Sequence, residues 1–193
     1  TPNKIVSANC SRIQEALRVL EEFTRTSHPD LSKNAAKIRF EIYEIELKIL
    51  RANSKKELQK RVKSCYICLI TKPNQNLIEI VHRALNSGIK MVQYRCKEEL
   101  CDREKILEAK EIASLCKKYN ALFIINDRVD IAIAVEADGV HLGEKDISVA
   151  TARQILGWER IIGKSTNCIE QVFQAEKEGC DYIGIGPVFH SKN

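Results

Sequence analysis

The chain has 193 residues, of which 44% are hydrophobic and 30% charged, the balance of an ordinary globular protein and not of a disordered or fibrous one. No stretch approaches the roughly 20 apolar residues that cross a bilayer, and Thr1-Pro2-Asn3-Lys4 opens no apolar signal segment, so membrane and secreted classes are set aside and a cytoplasmic protein is expected. The net charge of +5 divides unevenly: residues 1–64 carry 14 Lys/Arg against 8 Asp/Glu, and the remainder 17 against 18.

Residues 7–26 place Ile13, Ala16, Leu17, Leu20 and Phe23 at helical spacing. Pro29 interrupts this helix, and Asp30 or Ser32 is positioned to cap the next. In that second helix Leu31, Ala35, Ile38, Ile42, Ile45 and Ile49 recur at steps of four and three, a seam that wants a facing helix. Residues 1 to about 53 therefore read as an antiparallel helical hairpin, its seam packed internally or on a second copy in a homo-oligomer. A small all-α unit over residues 1–60 is expected, with no chemical constellation in it. The run from Arg51 to Lys63 sets Lys55, Lys56, Lys60, Arg61 and Lys63 against a single Glu57. Such a patch attracts nucleic acid, but no aromatic residue interleaves it. A linker or a helix end is the simpler reading, and no nucleic-acid or membrane partner is expected.

Eight cysteines are scattered along the chain, and the single close pair, Cys65 and Cys68, has neither a second pair nor a nearby His. Buried, reduced thiols are expected, not a disulfide framework or a zinc site.

From Cys65 onward the pattern changes. Short apolar runs at Tyr66–Thr71, Met91–Arg95, Leu122–Asn126, Gly139–Leu142, Ile161–Ser165 and Tyr182–Ile185 alternate with amphipathic stretches at Leu77–Ser87, Asp102–Tyr119, Arg128–Val135, Ser148–Leu156 and Ile169–Glu178. Strands that are apolar throughout, each followed by a helix, predict a parallel sheet covered by helices. The rhythm over residues 65–193 is that of a TIM-type (β/α) barrel; an open doubly wound sheet shares the same periodicity. In both architectures chemistry sits at the carboxyl ends of the strands.

Those ends carry a consistent set of groups. Gln93, Arg95 and Lys97, two residues apart, share one face of an extended strand and spread an amide and two cations over about 13 Å. That is a surface for phosphate or diphosphate, to which both cations offer charge-assisted bonds. Asp127 follows the third strand and Asp146 the fourth. An Asp at such a position can serve as a helix N-cap; for the helix after Asp146, Ser148 is the better-placed cap. Two carboxylates on neighbouring strand ends beside a cationic strand also suit magnesium, which takes one or two carboxylates and completes its shell with water and phosphate oxygens. His141, inside the fourth strand, reads as a packed core residue. Ser165 and Thr166 end the fifth strand, as helix caps or substrate contacts, and the sixth runs into a Gly-rich turn, Gly184-Ile185-Gly186-Pro187. The residues alone give a diphosphate-handling enzyme on a parallel α/β scaffold and leave its organic group open.

Five segments add a family resemblance: Val92–Lys97 (VQYRCK), Phe123–Asp130 (FIINDRVD), Ala137–Gly143 (ADGVHLG) with Asp146, Ile162–Thr166 (IGKST) and Asp181–Phe189 (DYIGIGPVF). In order and strand by strand they resemble the thiamine-phosphate synthase (thiamine-phosphate pyrophosphorylase) family over residues 65–193. The first 60 or so residues look like the helical N-terminal extension of some members. The resemblance implies a TIM barrel, six of its eight strands lying in this chain. It also implies a magnesium-dependent transferase joining 4-amino-5-hydroxymethyl-2-methylpyrimidine diphosphate to 4-methyl-5-(2-phosphoethyl)thiazole, with thiamine phosphate and pyrophosphate as products.

By resemblance Gln93, Arg95 and Lys97 hold the pyrimidine diphosphate, Asn126 contacts the pyrimidine, and Asp127 and Asp146 bind Mg2+. Ser165 lies near pyrimidine and diphosphate, and Lys97, Arg95 and Ser165 make up the catalytic set. Ser191 stands where the family has a substrate-contacting Thr, while His190 replaces a Pro and Asn193 a second Thr. Strands seven and eight, whose loops would hold the thiazole phosphate, are expected beyond Asn193. Two other readings are a thiazole tautomerase-like relative, which should not need both carboxylates and the cationic face, and a non-catalytic thiamine-precursor binder.

Overall fold

The computed structural model of the chain describes residues 2–97 and 100–186. Two helices come first, α1 (Pro2–Thr24) and α2 (Pro29–Lys63). Six strands then alternate with five helices: β1 (Cys68–Ile70), α3 (Leu77–Asn86), β2 (Met91–Tyr94), α4 (Asp102–Lys118), β3 (Leu122–Asn126), α5 (Val129–Ala134), β4 (Gly139–Leu142), α6 (Val149–Leu156), β5 (Ile161–Thr166), α7 (Ile169–Lys177) and β6 (Tyr182–Ile185). All neighbouring strands are parallel and stand in chain order from β1 to β6, the arrangement of a half-barrel. Two compact units result, residues 1–56 and 57–193.

In the first unit the hairpin is closed by small and polar groups. Ser32 Oγ donates to the Glu21 carbonyl (2.7 Å), Arg39 pairs with Glu21 (3.1 Å) and Gln14 donates to Glu46 (3.1 Å). Cys10 and Ala35 are buried, whereas Leu31, Ile38, Ile45 and Ile49 stay 39–53% exposed. Of the expected seam only Ala35 and Ile42 lie on the packed face. The inner face of α2 is rotated onto Ser32, Ala35, Arg39, Ile42 and Glu46, because a short residue and cross-linking polar groups let the helices approach there.

α2 also runs farther than the hairpin reading, to Lys63. Nothing between Leu50 and Lys63 breaks a helix, and Lys60, Arg61 and Lys63 occupy its last turn, where cations offset the negative end of the helix dipole. The basic run is thus a helix end. Its final turns belong to the second unit: Leu58 is buried with Met91, Leu122, Ile124 and Ile161, and Arg61 pairs with Asp138 at 2.9 Å.

The central strands β2–β5 bury most of both faces, which is why they read as apolar runs, while the edge strands β1 and β6 stay partly exposed. One face, with Val92, Tyr94, Phe123, Ile125, Val140, Leu142 and Ile162, packs on helix residues such as Val81, Leu85, Ile112 and Ala152. The inward face holds Met91, Leu122, Ile124 and Ile161 at the amino ends and polar groups at the carboxyl ends. Burying each large aliphatic or aromatic side chain contributes about 1.5–3 kcal/mol. Eight free cysteines lie in the described residues; Cys10 and Cys116 are buried, but Cys68, Cys101 and Cys168 are exposed, contrary to the expectation of buried thiols.

Close strand packing makes one glycine testable. A Cβ on Gly139 would collide with the backbone carbonyl of Ile161, its partner across the β4–β5 ladder. Gly139→Ala therefore destabilises the second unit by at least about 1–3 kcal/mol. A lowered urea midpoint at unchanged slope is the expected measurement, and a wild-type midpoint would contradict the packing.

Candidate active site

β2 ends at Tyr94 because Thr71 replaces the next rung of the ladder: the Arg95 N–H donates to Thr71 Oγ1 at 2.9 Å. Arg95 and Lys97 therefore stand in the loop just after β2, beyond the strand that carries Gln93. Gln93 is buried (5% exposed), and its Nε2 donates to Asn126 Oδ1 at 2.6 Å. That bond leaves the Asn126 amide hydrogens free to point at a ligand.

Asp127 forms the next step of the site. Its N–H donates to the His141 carbonyl (2.8 Å), and the following Arg128 N–H closes a three-residue turn onto the Asn126 carbonyl (2.7 Å). The turn places Asp127 at φ 64°, a conformation rare for residues other than glycine that costs of order 1–3 kcal/mol and collects at functional sites. Asp127 caps nothing, since the N-cap of α5 is Arg128. Asp146 caps nothing either. Ser148 caps α6, accepting from the Thr151 N–H at 3.0 Å, while the Asp146 carboxylate accepts from the Gly143 N–H at 2.6 Å.

The two carboxylates face one another. Burial first, and then the hydrogen bond and charge of Asp146, raise the Asp127 carboxyl to about 6 against the opposing pull of Lys97 and Arg95. The cationic loop and the acidic pair thus share one field. Lys164 braces the Asp146 loop by donating to the Gly143 carbonyl at 2.7 Å. Asp146, Lys164 and Ser165 line a cavity of about 260 Å3 together with Glu144 and Gln171. A larger hollow of about 640 Å3, with Arg61, Lys110, Lys117 and Asp138 on its walls, lies at the amino ends of the strands and shares none of these groups.

The structure thus brings Gln93, Arg95, Lys97, Asn126, Asp127, Asp146 and Ser165 to the carboxyl ends of β2–β5. Ser191 lies outside the described residues, as do His190 and Asn193. Sequence reasoning missed the setting of Ser165. His141 is buried, as expected of a core residue, but its Nε2 lies 2.9 Å from Ser165 Oγ and its Nδ1 3.0 Å from the Tyr182 hydroxyl. Burial and then Lys164 lower the His141 pKa, with Asp146 opposing.

Comparison with known proteins gives this geometry a family. A family model described as "Thiamine monophosphate synthase" matches residues 65–193, and one described as the ThiD2 family matches residues 1–48. A thiamine-phosphate synthase of Prochlorococcus marinus is 56% identical over 192 residues, covering 100% of this chain and 55% of that protein. One of Synechococcus is 47% identical over 193 residues, covering 97% and 54%. A solved thiamine phosphate pyrophosphorylase from Pyrococcus furiosus superposes with a TM-score of 0.61 at 35% identity, covering 68% of this chain and 63% of that one. The chain spans about half the length of the curated relatives it matches. Its strand-end residues, its parallel half-barrel and these matches agree: the chain belongs to the thiamine monophosphate synthase family.

Proposed function

We propose that the protein carrying this chain condenses 4-amino-5-hydroxymethyl-2-methylpyrimidine diphosphate with 4-methyl-5-(2-phosphoethyl)thiazole, giving thiamine phosphate and pyrophosphate. The observation that carries the reading is the meeting of a half-buried carboxylate pair, Asp127 and Asp146, with two cations, Arg95 and Lys97, at adjacent strand ends. It is the arrangement a metal-bound diphosphate needs, with opposite charges for its two components. The finer architecture proposed is a TIM barrel of which β1–β6 are the first six strands, in the cytoplasm, with residues 1–56, a little short of the expected 1–60, a separate helical domain that supplies none of these groups.

The donor set fits Mg2+. Two hard carboxylates crowd together, and burial followed by the hydrogen bond and charge of Asp146 raises the Asp127 pKa. No third acidic, thiol or imidazole group joins them among the described residues, which leaves the remaining coordination to water and phosphate oxygens. When bound, the ion neutralises charge on the departing pyrophosphate.

The chain's own residues do the rest. Arg95 and Lys97 hold the diphosphate and stabilise the negative charge that grows on it as its C–O bond breaks and the bonding pair leaves with the pyrophosphate. Asn126, oriented by Gln93, hydrogen-bonds the aminopyrimidine ring, which carries the resulting benzylic-type cation. The thiazole nitrogen lone pair then forms the new C–N bond. No covalent protein nucleophile is required. Ser165 contacts the diphosphate end of the substrate.

Incubating the full-length protein with both substrates and magnesium tests the proposal. Thiamine phosphate and pyrophosphate should appear in equal amounts. Binding of the pyrimidine diphosphate without any turnover would replace the proposal with a precursor-binding role.

A further inference from the structure

The interior of the half-barrel contains a hydrogen-bonded chain that crosses three strands. One register row reads Asn126, His141, Gly163 and Tyr182 from β3 to β6, and the next pairs Ser165 with Gly184. His141 and Tyr182 are two strands apart, so their side chains meet only because Gly163 stands between them. A Cβ on Gly163 would occupy the space of the Tyr182 ring. A Cβ on Gly184 would come within 3.2 Å of His141 Cε1. Two glycines thus leave room for two rings, whose centroids lie 5.4 Å apart, and the chain runs Tyr182 Oη, His141 Nδ1, His141 Nε2, Ser165 Oγ at 3.0 and 2.9 Å.

The chain has a direction. Among the described residues the Tyr182 hydroxyl has one partner, His141 Nδ1. An inward-facing O–H left without an acceptor costs about 1–3 kcal/mol, so the phenol donates and Nδ1 accepts. A ring nitrogen that accepts bears no proton, so an imidazole accepting at Nδ1 is neutral and carries its proton on Nε2. That N–H donates to Ser165 Oγ, whose own proton is then left to point away from His141 toward the site.

We infer that Tyr182 and His141 are positioning residues that set Ser165 as a hydrogen-bond donor toward the acceptor oxygens of the pyrimidine diphosphate. This rests on the proposed function for the identity of the acceptor, while the relay itself stands on the geometry of the chain. The opposite direction would leave Ser165 donating to His141 and offering only lone pairs, which a diphosphate repels.

Nitrogen-15 NMR of the full-length protein labelled at histidine, with the His141 signals assigned by their loss in His141→Asn, tests the direction without any activity. The Nε2–H tautomer with a bare Nδ1 is expected; an Nδ1–H tautomer overturns the relay. Kinetics test the link to Ser165. Tyr182→Phe should lower kcat/KM about three- to tenfold in the wild-type background and leave it unchanged in Ser165→Ala. Equal losses in both backgrounds would show a structural effect and overturn the positioning role. If the wild-type protein forms no thiamine phosphate, the functional proposal falls, and the tautomer still decides the relay.

Discussion

Asp127→Asn and Asp146→Asn each lower magnesium-dependent turnover of the full-length protein at least about 100-fold, a barrier increase of about 2.7 kcal/mol. Both substitutions keep the size of the side chain and one carbonyl oxygen, so the bond that Asp146 accepts from the Gly143 N–H survives. Asn also tolerates the φ of 64° at residue 127 better than most residues. What is lost is a negative charge needed to hold a divalent cation. Stability moves the other way. The Asp127 carboxyl ionises near 3.8 without its folded surroundings and near 6 within them. The folded state therefore binds the proton more tightly, and it loses stability as pH rises between those values. At pH 7 the metal-free wild type carries that whole loss and Asp127→Asn does not. Melting in chelator should thus show Asp127→Asn at least as stable as wild type, while pyrophosphate release shows it nearly inactive. Wild-type turnover with unchanged magnesium dependence in both variants would remove the metal assignment.

Asp181→Ala has the largest expected effect on stability, a loss of about 3–5 kcal/mol. The side chains of Arg153 and Asp181 are 6% and 3% exposed and meet at 2.7 Å. The same Asp181 oxygen accepts the Ile162 N–H at 2.8 Å, which ties the start of β6 to β5. Arg153 also donates to the carbonyls of Gly157, Arg160 and Gly179. Removing the carboxylate leaves a buried cation without its counter-charge and a strand N–H without its acceptor. The exposed pair Arg83–Glu79 is the internal control, since Glu79→Ala should cost less than about 1 kcal/mol. Urea unfolding followed by circular dichroism separates the two, and equal midpoints for the two variants would contradict the burial argument.

The candidate site was largely legible because barrel chemistry collects at strand ends, and the apolar runs located those ends to within a residue or two. Leu122–Asn126, Gly139–Leu142 and Tyr182–Ile185 match the observed strands residue for residue. Asp127 and Asp146 stood out as carboxylates placed directly after such runs. Lateral register was not legible. That His141 reaches Ser165 and Tyr182 depends on how β4, β5 and β6 are staggered, and residues 24 and 41 positions apart carry no periodic signal of their pairing. Gly184 read as the start of a Gly-rich turn and Gly163 as one residue of a strand, whereas both leave room for the His141 and Tyr182 rings. Arg153 was unreadable for a related reason: on a helix it passes for a solvated cation, and only the position of β6 reveals its buried partner. In the hairpin, the four-and-three spacing shared only Ala35 and Ile42 with the packed stripe of α2, because polar cross-links from Ser32, Arg39 and Glu46 set the contact face.

The most direct test of the account is diffraction from crystals of the full-length protein soaked with manganese and the pyrimidine diphosphate. Anomalous scattering should place the ion on the carboxylates of Asp127 and Asp146, with diphosphate oxygens completing its shell and Arg95 and Lys97 reaching the phosphates. An ion bound elsewhere, or a diphosphate seated away from these four residues, would contradict it.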